Sequence, residues 1–472
     1  MGQIYSRILA LQRYAVRSYM WPRAKMSTTS FVLTTNGGLE ALVADELRAA
    51  AHAAGLQPPI AADDIELRPW NCFGRVLLKR PQASDSSLTR ILLGLRGVHD
   101  ILQHHMVLPL PDCADPPLAL YEQLRIAPLT DQGPVPPLLG GKTTFRVSCI
   151  REGDHEFTSL DIEREVGGAL HELYDAKASM TAFDVRVRVD VAKSTVLIGT
   201  ALNAEPLSKR HKLAFTRSVT LKPNVAYALL QFAGVASSGK PAADASASAA
   251  VARPTVLDPC AGSGTIPLEA SEALGLACHG VDKSLAVVKG AQANAAAAGL
   301  TELCAFSQGN CRSLQQLFAP ASFDAIVTNA PWGVQTAKVS SGKEGEPLLE
   351  KIYRGLLLSG HAVTKPGGVM VLLVLRWSLV LDLARRSGLW RVDELLPIRT
   401  SNLTPVAVKL VRLDADEPRA QAQARLKELG IYFNFTTNKS GGEAKSKTDD
   451  TPTSKVEVAA GGEGDDGVLE VA

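Results

Sequence analysis

Thr255-Val256-Leu257-Asp258-Pro259-Cys260-Ala261-Gly262-Ser263-Gly264-Thr265 is the stretch on which the fold turns. A short apolar run, read as a strand, ends in an acid. A glycine-rich turn follows, and helix-forming residues begin near Ile266. Glycines let a backbone approach a ligand closely, and a helix N-terminus offers unpaired N–H donors. A dinucleotide fingerprint would run G-x-G-x-x-G, with a third glycine for close helix packing. Pro267 stands at that place, and the strand ends in Asp258. A carboxylate there suits a cationic ligand group better than a pyrophosphate. The amino-acid end of S-adenosylmethionine carries an ammonium and a carboxylate and can use both features. Asp258, Cys260, Gly262, Gly264 and Thr265 are therefore candidate cofactor contacts.

Further along, strands at Ala277–Val281, Phe323–Val327, Val369–Leu375 and Val406–Leu413 alternate with helices near 266–274, 284–298, 347–363 and 378–387. That order predicts an α/β sheet wound on both faces, a Rossmann-like domain over 254–415. Gly280-Val281-Asp282-Lys283-Ser284 puts Asp282 at the end of the second strand, 24 residues after Asp258, placed to accept both ribose hydroxyls. Gln308-Gly309-Asn310 ends a third strand, where Asn310 can meet the adenine amino group. The most specific motif is Thr328-Asn329-Ala330-Pro331-Trp332-Gly333. An exocyclic base nitrogen is a poor nucleophile because its lone pair is delocalised into the ring. The Asn329 side-chain oxygen and the Ala330 carbonyl can accept its two N–H bonds and free that lone pair. Pro331 shapes the loop, and Trp332 offers a face on which an unstacked base can lie, worth ~1–3 kcal/mol. Asn329 counts with the cofactor contacts as well as the catalytic ones.

Upstream, residues 31–140 read as a first globular unit. It comprises a strand at 31–35, a turn at Asn36-Gly37-Gly38, a helix from Leu39 to about Ala54, a strand at Gly74–Lys79 and a helix near Ser87–Leu95. The Pro-rich run from Pro109 to Pro137 is expected to break regular structure. Residues 141–206 form a second unit. In it, Ser159 can cap a helix through Tyr174, and Asp184–Val191 alternates strictly as a strand paired with Thr195–Leu202. The polar face of Asp184, Arg186, Arg188 and Asp190 is expected to be solvated. Residues 207–253 hold a linker helix at Asn224–Phe232 and a flexible insertion from 235. No acid occurs from Pro206 to Ala243. Lys209, Arg210, Lys212, Arg217 and Lys222 are candidate contacts to RNA phosphates, against the alternative of a solvated linker.

Fifty basic and 48 acidic residues leave a net charge of +2, so any nucleic-acid binding must use local patches. A composition 46% hydrophobic and 21% charged excludes collagen-like, coiled-coil and wholly disordered chains. No stretch approaches the ~20 apolar residues of a membrane-spanning helix, so no stable membrane insertion is expected. Seven scattered cysteines without a CxxC pair read as reduced thiols of an intracellular protein, with neither a disulfide framework nor a zinc site. Residues 1–30 form an N-terminal extension with five basic residues and no acid. It fits a mitochondrial presequence, the myristoylation pattern M-G-x-x-x-S, or an upstream start with Met26 opening the protein. The expected location is the cytoplasm or nucleus, or the mitochondrion if residues 1–25 are a presequence. The tail 438–472, with eight acids against four lysines after Asn438, is expected to be disordered.

The whole resembles the THUMP-domain RNA methyltransferases that form N2-methylguanosine in tRNA and other structured RNAs. The resemblance spans about 31–412. Phe31–Leu47 looks like the family's N-terminal ferredoxin-like domain, Phe145–Leu202 like the THUMP domain, and Leu221-Lys222-Pro223-Asn224-Val225-Ala226 like the linker. Asp258–Gly264 and Asn329–Trp332 match the cofactor and amino-methyltransferase motifs. The resemblance implies a Rossmann-like methyltransferase domain behind a ferredoxin-like plus THUMP α+β module. It also implies S-adenosylmethionine as cofactor, tRNA as the favoured substrate and a small methyltransferase-activator subunit as partner. Two residues depart from the pattern: Asn310 replaces the usual third-strand acid, and N-P-P-Y becomes N-A-P-W. Three other readings stay open: the same chemistry on small nuclear or ribosomal RNA, adenine-N6 methylation, and a non-catalytic RNA-binding protein.

Overall fold

The computed structural model describes residues 29–80, 86–126, 143–217, 219–236, 254–333, 345–400, 403–413, 431–434 and 455–458. The readings of the segment ahead of Thr29 and of the insertion at 237–253 lie outside these residues. In the N-terminal half, eight strands form one sheet. They are β1 (Thr29–Thr34), β2 (Ile65–Leu67), β3 (Arg75–Arg80), β4 (Asp100–Pro109), β5 (Thr144–Glu152), β6 (Lys177–Ala178), β7 (Val185–Ala192) and β8 (Thr195–Ala201), in the order β2-β3-β1-β4-β8-β7-β5-β6. Helices α1 (Glu40–Ala53) and α2 (Ser86–Gly94) pack on the first half of this sheet, α3 (Pro116–Ile126) and α4 (Ser159–Tyr174) on the second.

The two upstream units thus share one sheet through β4, which pairs antiparallel with β8 from Leu102↔Ala201 to Pro109↔Thr195. β4 escapes sequence reading because His104 and His105 interrupt its alternation, where the register also shifts. The Pro-rich run does not break structure throughout: it contains α3. Prolines 116 and 117 sit in the first turn, where a missing N–H costs nothing, and the Asp115 side chain accepts from Leu118 N at 3.1 Å. Leu120 and Leu124, one helical turn apart, are buried against α4. The cap of α4 is Thr158, one residue earlier than expected, in a reciprocal box with Asp161.

The polar face is solvated only at its start: Asp184, just ahead of β7, is exposed as expected, while Arg186 is largely covered and Arg188 and Asp190 are buried. Arg188 and Asp190 are 5% and 2% exposed. Asp190 takes Arg75 and Arg188 each at 2.5 Å, and Asp100 takes Arg186 at 2.5 Å, Arg188 at 3.1 Å and Asn203 at 2.8 Å. Burial alone would push both carboxyls up. The guanidiniums around them win and hold both below the ordinary carboxylate range. Strict alternation showed a two-faced strand; what lies over the polar face depends on residues some 90 positions away.

In the C-terminal half, seven strands form a second sheet: β9 (Thr255–Asp258), β10 (Ala277–Asp282), β11 (Cys304–Gln308), β12 (Phe323–Asn329), β13 (Thr364–Val374), β14 (Trp390–Pro397) and β15 (Val406–Arg412). Their order is β11-β10-β9-β12-β13-β15-β14, with β15 antiparallel to both neighbours. Along β12, Ala325 and Val327 face one way and Ile326 and Thr328 the other, all fully buried, so helices must cover both faces. Helices α5 (Pro223–Phe232) and α6 (Thr265–Leu274) cover the first, and α8 (Gly345–Val363) and α9 (Trp377–Ser387) the second; α7 (Leu285–Ala297) packs over β10 and β11. The chain order reverses between β9 and β12, and a crevice opens there beyond the strand ends. Within the tail expected to be disordered, Lys455–Val458 pairs with Ile431–Asn434, joining Val456 to Phe433 and Val458 to Ile431. The rest of the tail lies outside the described residues. Among the described residues no helix is long and apolar enough to cross a membrane.

Two contacts fix the halves against each other. At the Asn36-Gly37-Gly38 turn, Gly38 has φ +97° and a Cβ on it would lie 2.0 Å from the Pro397 carbonyl oxygen, so only glycine lets the turn dock. Asn36 Nδ2 donates to the Arg399 carbonyl at 2.9 Å, and Arg399 N to that of Gly37 at 2.8 Å. The second contact is an ion cluster. Glu269 on α6 is fully buried and meets Arg96 at 3.0 Å and His211 at 2.7 Å, while Arg96 also reaches Glu272 at 2.7 Å. Arg210 belongs to this joint rather than to an RNA-facing surface. It donates to the carbonyls of Leu207, Leu95 and Arg96 at 2.9, 3.1 and 3.2 Å, and only 17% of its side chain is exposed.

Candidate active site

The crevice at the switch point is a cavity of about 910 Å³. It collects the loops after β9, β10, β11 and β12, the linker at Arg217–Leu221, and Leu403 from the β14–β15 connection. Its floor is built by close approach. Gly264 caps α6 with φ +84°, and a Cβ on Gly280 would lie 2.5 Å from the Phe306 ring, so the turn after β9 sits directly on β10 and β11. Thr265 opens α6 and is buried.

Asp258 is 2% exposed and accepts from Thr328 Oγ1 at 2.6 Å and Cys260 N at 3.1 Å. Burial pushes its carboxyl up to about 7, against the two hydrogen bonds and with a push from Asp282. A cation beside it would restore the charged form. Asp282 turns one oxygen to Gly262 N at 3.3 Å and the other to Ser284 N at 3.0 Å, which orients it at the lip of the cavity. The Cys260 thiol is raised well above its usual value by its hydrogen bond with Cys311 and by burial, so it stays neutral. Asn310 lines the cavity too, but its side-chain oxygen accepts from Arg312 N at 3.0 Å. Arg312 Nε lies 3.4 Å from the same oxygen, so an adenine amino group would share this acceptor with Arg312.

At the end of β12, Asn329 Oδ1 is buried without a hydrogen-bond partner. Such an atom costs ~1–3 kcal/mol unless something completes it. Ala330 is 2% exposed, and the Pro331 carbonyl accepts from Tyr353 Oη at 2.6 Å. Trp332 Nε1 donates to the Leu373 carbonyl at 3.2 Å, which fixes the plane of the indole. All four candidate catalytic residues therefore meet at one wall of the cavity, beside Asp258, Cys260, Gly262, Thr265, Asp282 and Asn310. Gly264 lies just beneath as the helix cap. Sequence reasoning missed Thr328 as the tie between the two motifs, and Tyr353, whose spacing to Leu349, Leu356 and Leu357 signalled only a buried helix face.

The basic candidates divide. Lys209, Lys212, Arg217 and Lys222 are exposed, and Arg217 lines the cavity; Arg210 is the structural residue described above.

Comparison with known proteins bears on the family and the fold. A model described as RMKL-like, methyltransferase domain, matches residues 210–396, and the THUMP domain model matches 133–201. A tRNA (guanine(6)-N2)-methyltransferase of Thermus thermophilus is 34% identical over 358 residues, 74% of this chain and 89% of the relative. A U6 snRNA (guanine-N(2))-methyltransferase of Mus musculus is 28% identical over 234 residues, 49% of this chain and 38% of that one. Among solved structures, TrmN from Thermus thermophilus superposes with a TM-score of 0.60 at 30% identity, covering 82% of this chain and all of that one. Likeness at that depth along nearly the whole length of the Thermus enzyme, with a THUMP domain ahead of a methyltransferase domain in this chain, means that the chain belongs to the THUMP-domain tRNA guanine-N2 methyltransferase family.

Proposed function

We propose that the cavity binds S-adenosylmethionine and methylates N2 of a guanosine in tRNA. The observation that carries this reading is the partnerless buried Asn329 Oδ1 at the end of β12. It is an acceptor held ready for an N–H that the protein itself does not supply. The residues present suit the cofactor: Asp258 for its ammonium, the α6 N-terminus for its carboxylate, Asp282 for its ribose hydroxyls and Asn310 for the adenine edge. When bound, it supplies a methyl group on a good sulfonium leaving group. The chain's own residues position and polarise. Asn329 Oδ1 and the Ala330 carbonyl accept the two N–H bonds of the target amine and localise its lone pair. Trp332 carries the unstacked base. No protein base need ionise, because the methylated nitrogen becomes acidic and its proton can leave to water.

The test is methylation of unfractionated tRNA, with and without a small activator subunit, followed by nucleoside digestion and mapping. N2-methylguanosine is expected. The Thermus relative's name places its target at guanine 6, and we propose the same position here. N6-methyladenosine as product would sink the reading. Small nuclear RNA is the second substrate to try, because the mouse relative is named for U6 snRNA. We place the protein in the cytoplasm or nucleus, or in the mitochondrion if its Arg-rich start is a presequence.

Asp258 gives this reading a pH signature. The ionised carboxylate binds the cofactor's ammonium, and the free carboxyl titrates at about 7. Cofactor affinity should be flat above that pH and fall by up to tenfold per unit below it. Calorimetry from pH 5.5 to 8.5 on wild type and Asp258→Asn checks this. The variant should bind more weakly and show no slope; a slope that survives assigns the titration to another group.

Replacing Lys209, Lys212 and Arg217 together by Gln should weaken RNA binding. The log–log salt slope should shrink by up to about 0.9 per lost phosphate contact, taking duplex DNA as a guide. RNA affinity at several salt concentrations decides the point, and coincident slopes would return this stretch to a solvated linker.

A further inference from the structure

Three hydrogen bonds hold the loop that ends β12. Thr328 Oγ1 donates to Asp258, Trp332 Nε1 to the Leu373 carbonyl, and Tyr353 Oη to the Pro331 carbonyl at 2.6 Å. The first two come from the loop or its strand and run to neighbouring strands. The third comes from α8, on the face of the sheet that α9 also covers. We propose that Tyr353 is a positioning residue of the reaction, its buried hydroxyl setting the peptide planes that aim Asn329 and the Ala330 carbonyl at the target amine. The proposal rests on the role given above to Asn329.

Tyr353 is fully buried among Leu349, Leu356, Val380 and Trp390, so its ring cannot shift without disturbing that core. Burial also raises its phenol above the ordinary range, and the hydroxyl stays a donor at any working pH. Proline fixes its own φ near ~−65°. A donor locked on the Pro331 carbonyl fixes the ψ that remains. Both peptide planes flanking Pro331 are then set, and the plane before it carries the Ala330 carbonyl. In the related N-P-P-Y pattern a second ring would hold the preceding torsion. Ala330 has no ring, so in this chain the tyrosine carries more of the loop's stiffness. Pro331 itself is exposed, while Ala330 on one side is buried in the core and Trp332 on the other packs against the opposite core, so the proline's own peptide planes are what the tyrosine bond holds.

Tyr353→Phe keeps the ring and removes only the hydroxyl. On unfractionated tRNA with labelled cofactor, kcat should fall at least fivefold, while the KM for RNA and the cofactor Kd stay within twofold. Trp390→Phe serves as the control. It deletes an N–H donor to the Leu357 carbonyl, 2.9 Å away on the same helix and in the same core, and should lower Tm with kcat unchanged. A smaller fall in kcat for Tyr353→Phe overturns the proposal. So does a parallel loss of cofactor affinity, an equal loss of kcat in Trp390→Phe, or a Tyr353→Phe protein unfolded at assay temperature; the last three make the hydroxyl merely structural. Asn329→Ala run alongside separates the two readings. If it keeps turnover, the loop's role itself fails; if it loses turnover while Tyr353→Phe does not, only the clamp fails.

Discussion

Asn329→Ala is expected to lower turnover ~100- to 1,000-fold, the range seen when one pre-organised polar group at a reacting centre is removed. The side chain ends β12, its oxygen buried and without a partner, one residue beyond Thr328, which is tied to Asp258. Alanine deletes that acceptor and leaves the Asp258 and Asp282 networks whole, so the cofactor Kd should stay within about threefold, a change worth ~0.6 kcal/mol. Single-turnover methylation and calorimetry on the same preparation check both halves. Turnover above half of wild type would end the catalytic role of Asn329, and a large loss of cofactor affinity would move the residue into the binding site proper.

The largest expected effect on stability lies at the joint between the halves. Glu269→Ala leaves Arg96 and His211 facing a buried gap, with only the half-exposed Glu272 still in reach of both. Breaking a buried pair by removing one partner costs ~3–5 kcal/mol, and the lower end applies here because Glu272 partly compensates. Since Arg96 belongs to the N-terminal half and Glu269 to α6, the loss should also uncouple the halves. Chemical denaturation should then show an earlier and broader transition, or two. A change below ~1 kcal/mol with one sharp transition would make the cluster a solvated ion pair.

The two motifs that build the cavity wall were legible because their signals are local. Gly262 and Gly264 take positive φ, Asp258 and Asp282 end strands of period two, and the Asn329–Trp332 loop follows another such strand. Each needs a particular residue type at a particular backbone position, whatever the rest of the chain does. The strands β9, β10, β12, β13 and β15 and the helices between them were legible for the same reason, as were α1 and α4. Strand β14 was not, because its alternation runs only from Trp390 to Asp393 and breaks at Glu394, where the register also shifts.

Tertiary structure decided whatever depends on what lies opposite. The face of Asp184, Arg186, Arg188 and Asp190 looks the same in sequence whether water or Arg75 and Asp100 meet it; water meets Asp184, and the structure brings the other three together with Arg75 and Asp100 away from water. Arg210 sits in a basic run that promises a phosphate surface, yet three carbonyls and Glu269 draw it inside. The Pro109–Pro137 run reads as a break, but Leu120 and Leu124 find α4 to pack against, and that burial outweighs a poor local propensity. Tyr353 carries no sign of its partner, since its hydroxyl meets a carbonyl 22 residues earlier that only the winding of the sheet brings near. Local backbone chemistry, then, determined which turns and strand ends would line the cavity. Which charges are buried, how the two halves are clamped and what the Asn329–Trp332 loop is bonded to are set by contacts between distant segments, and no local pattern encodes those.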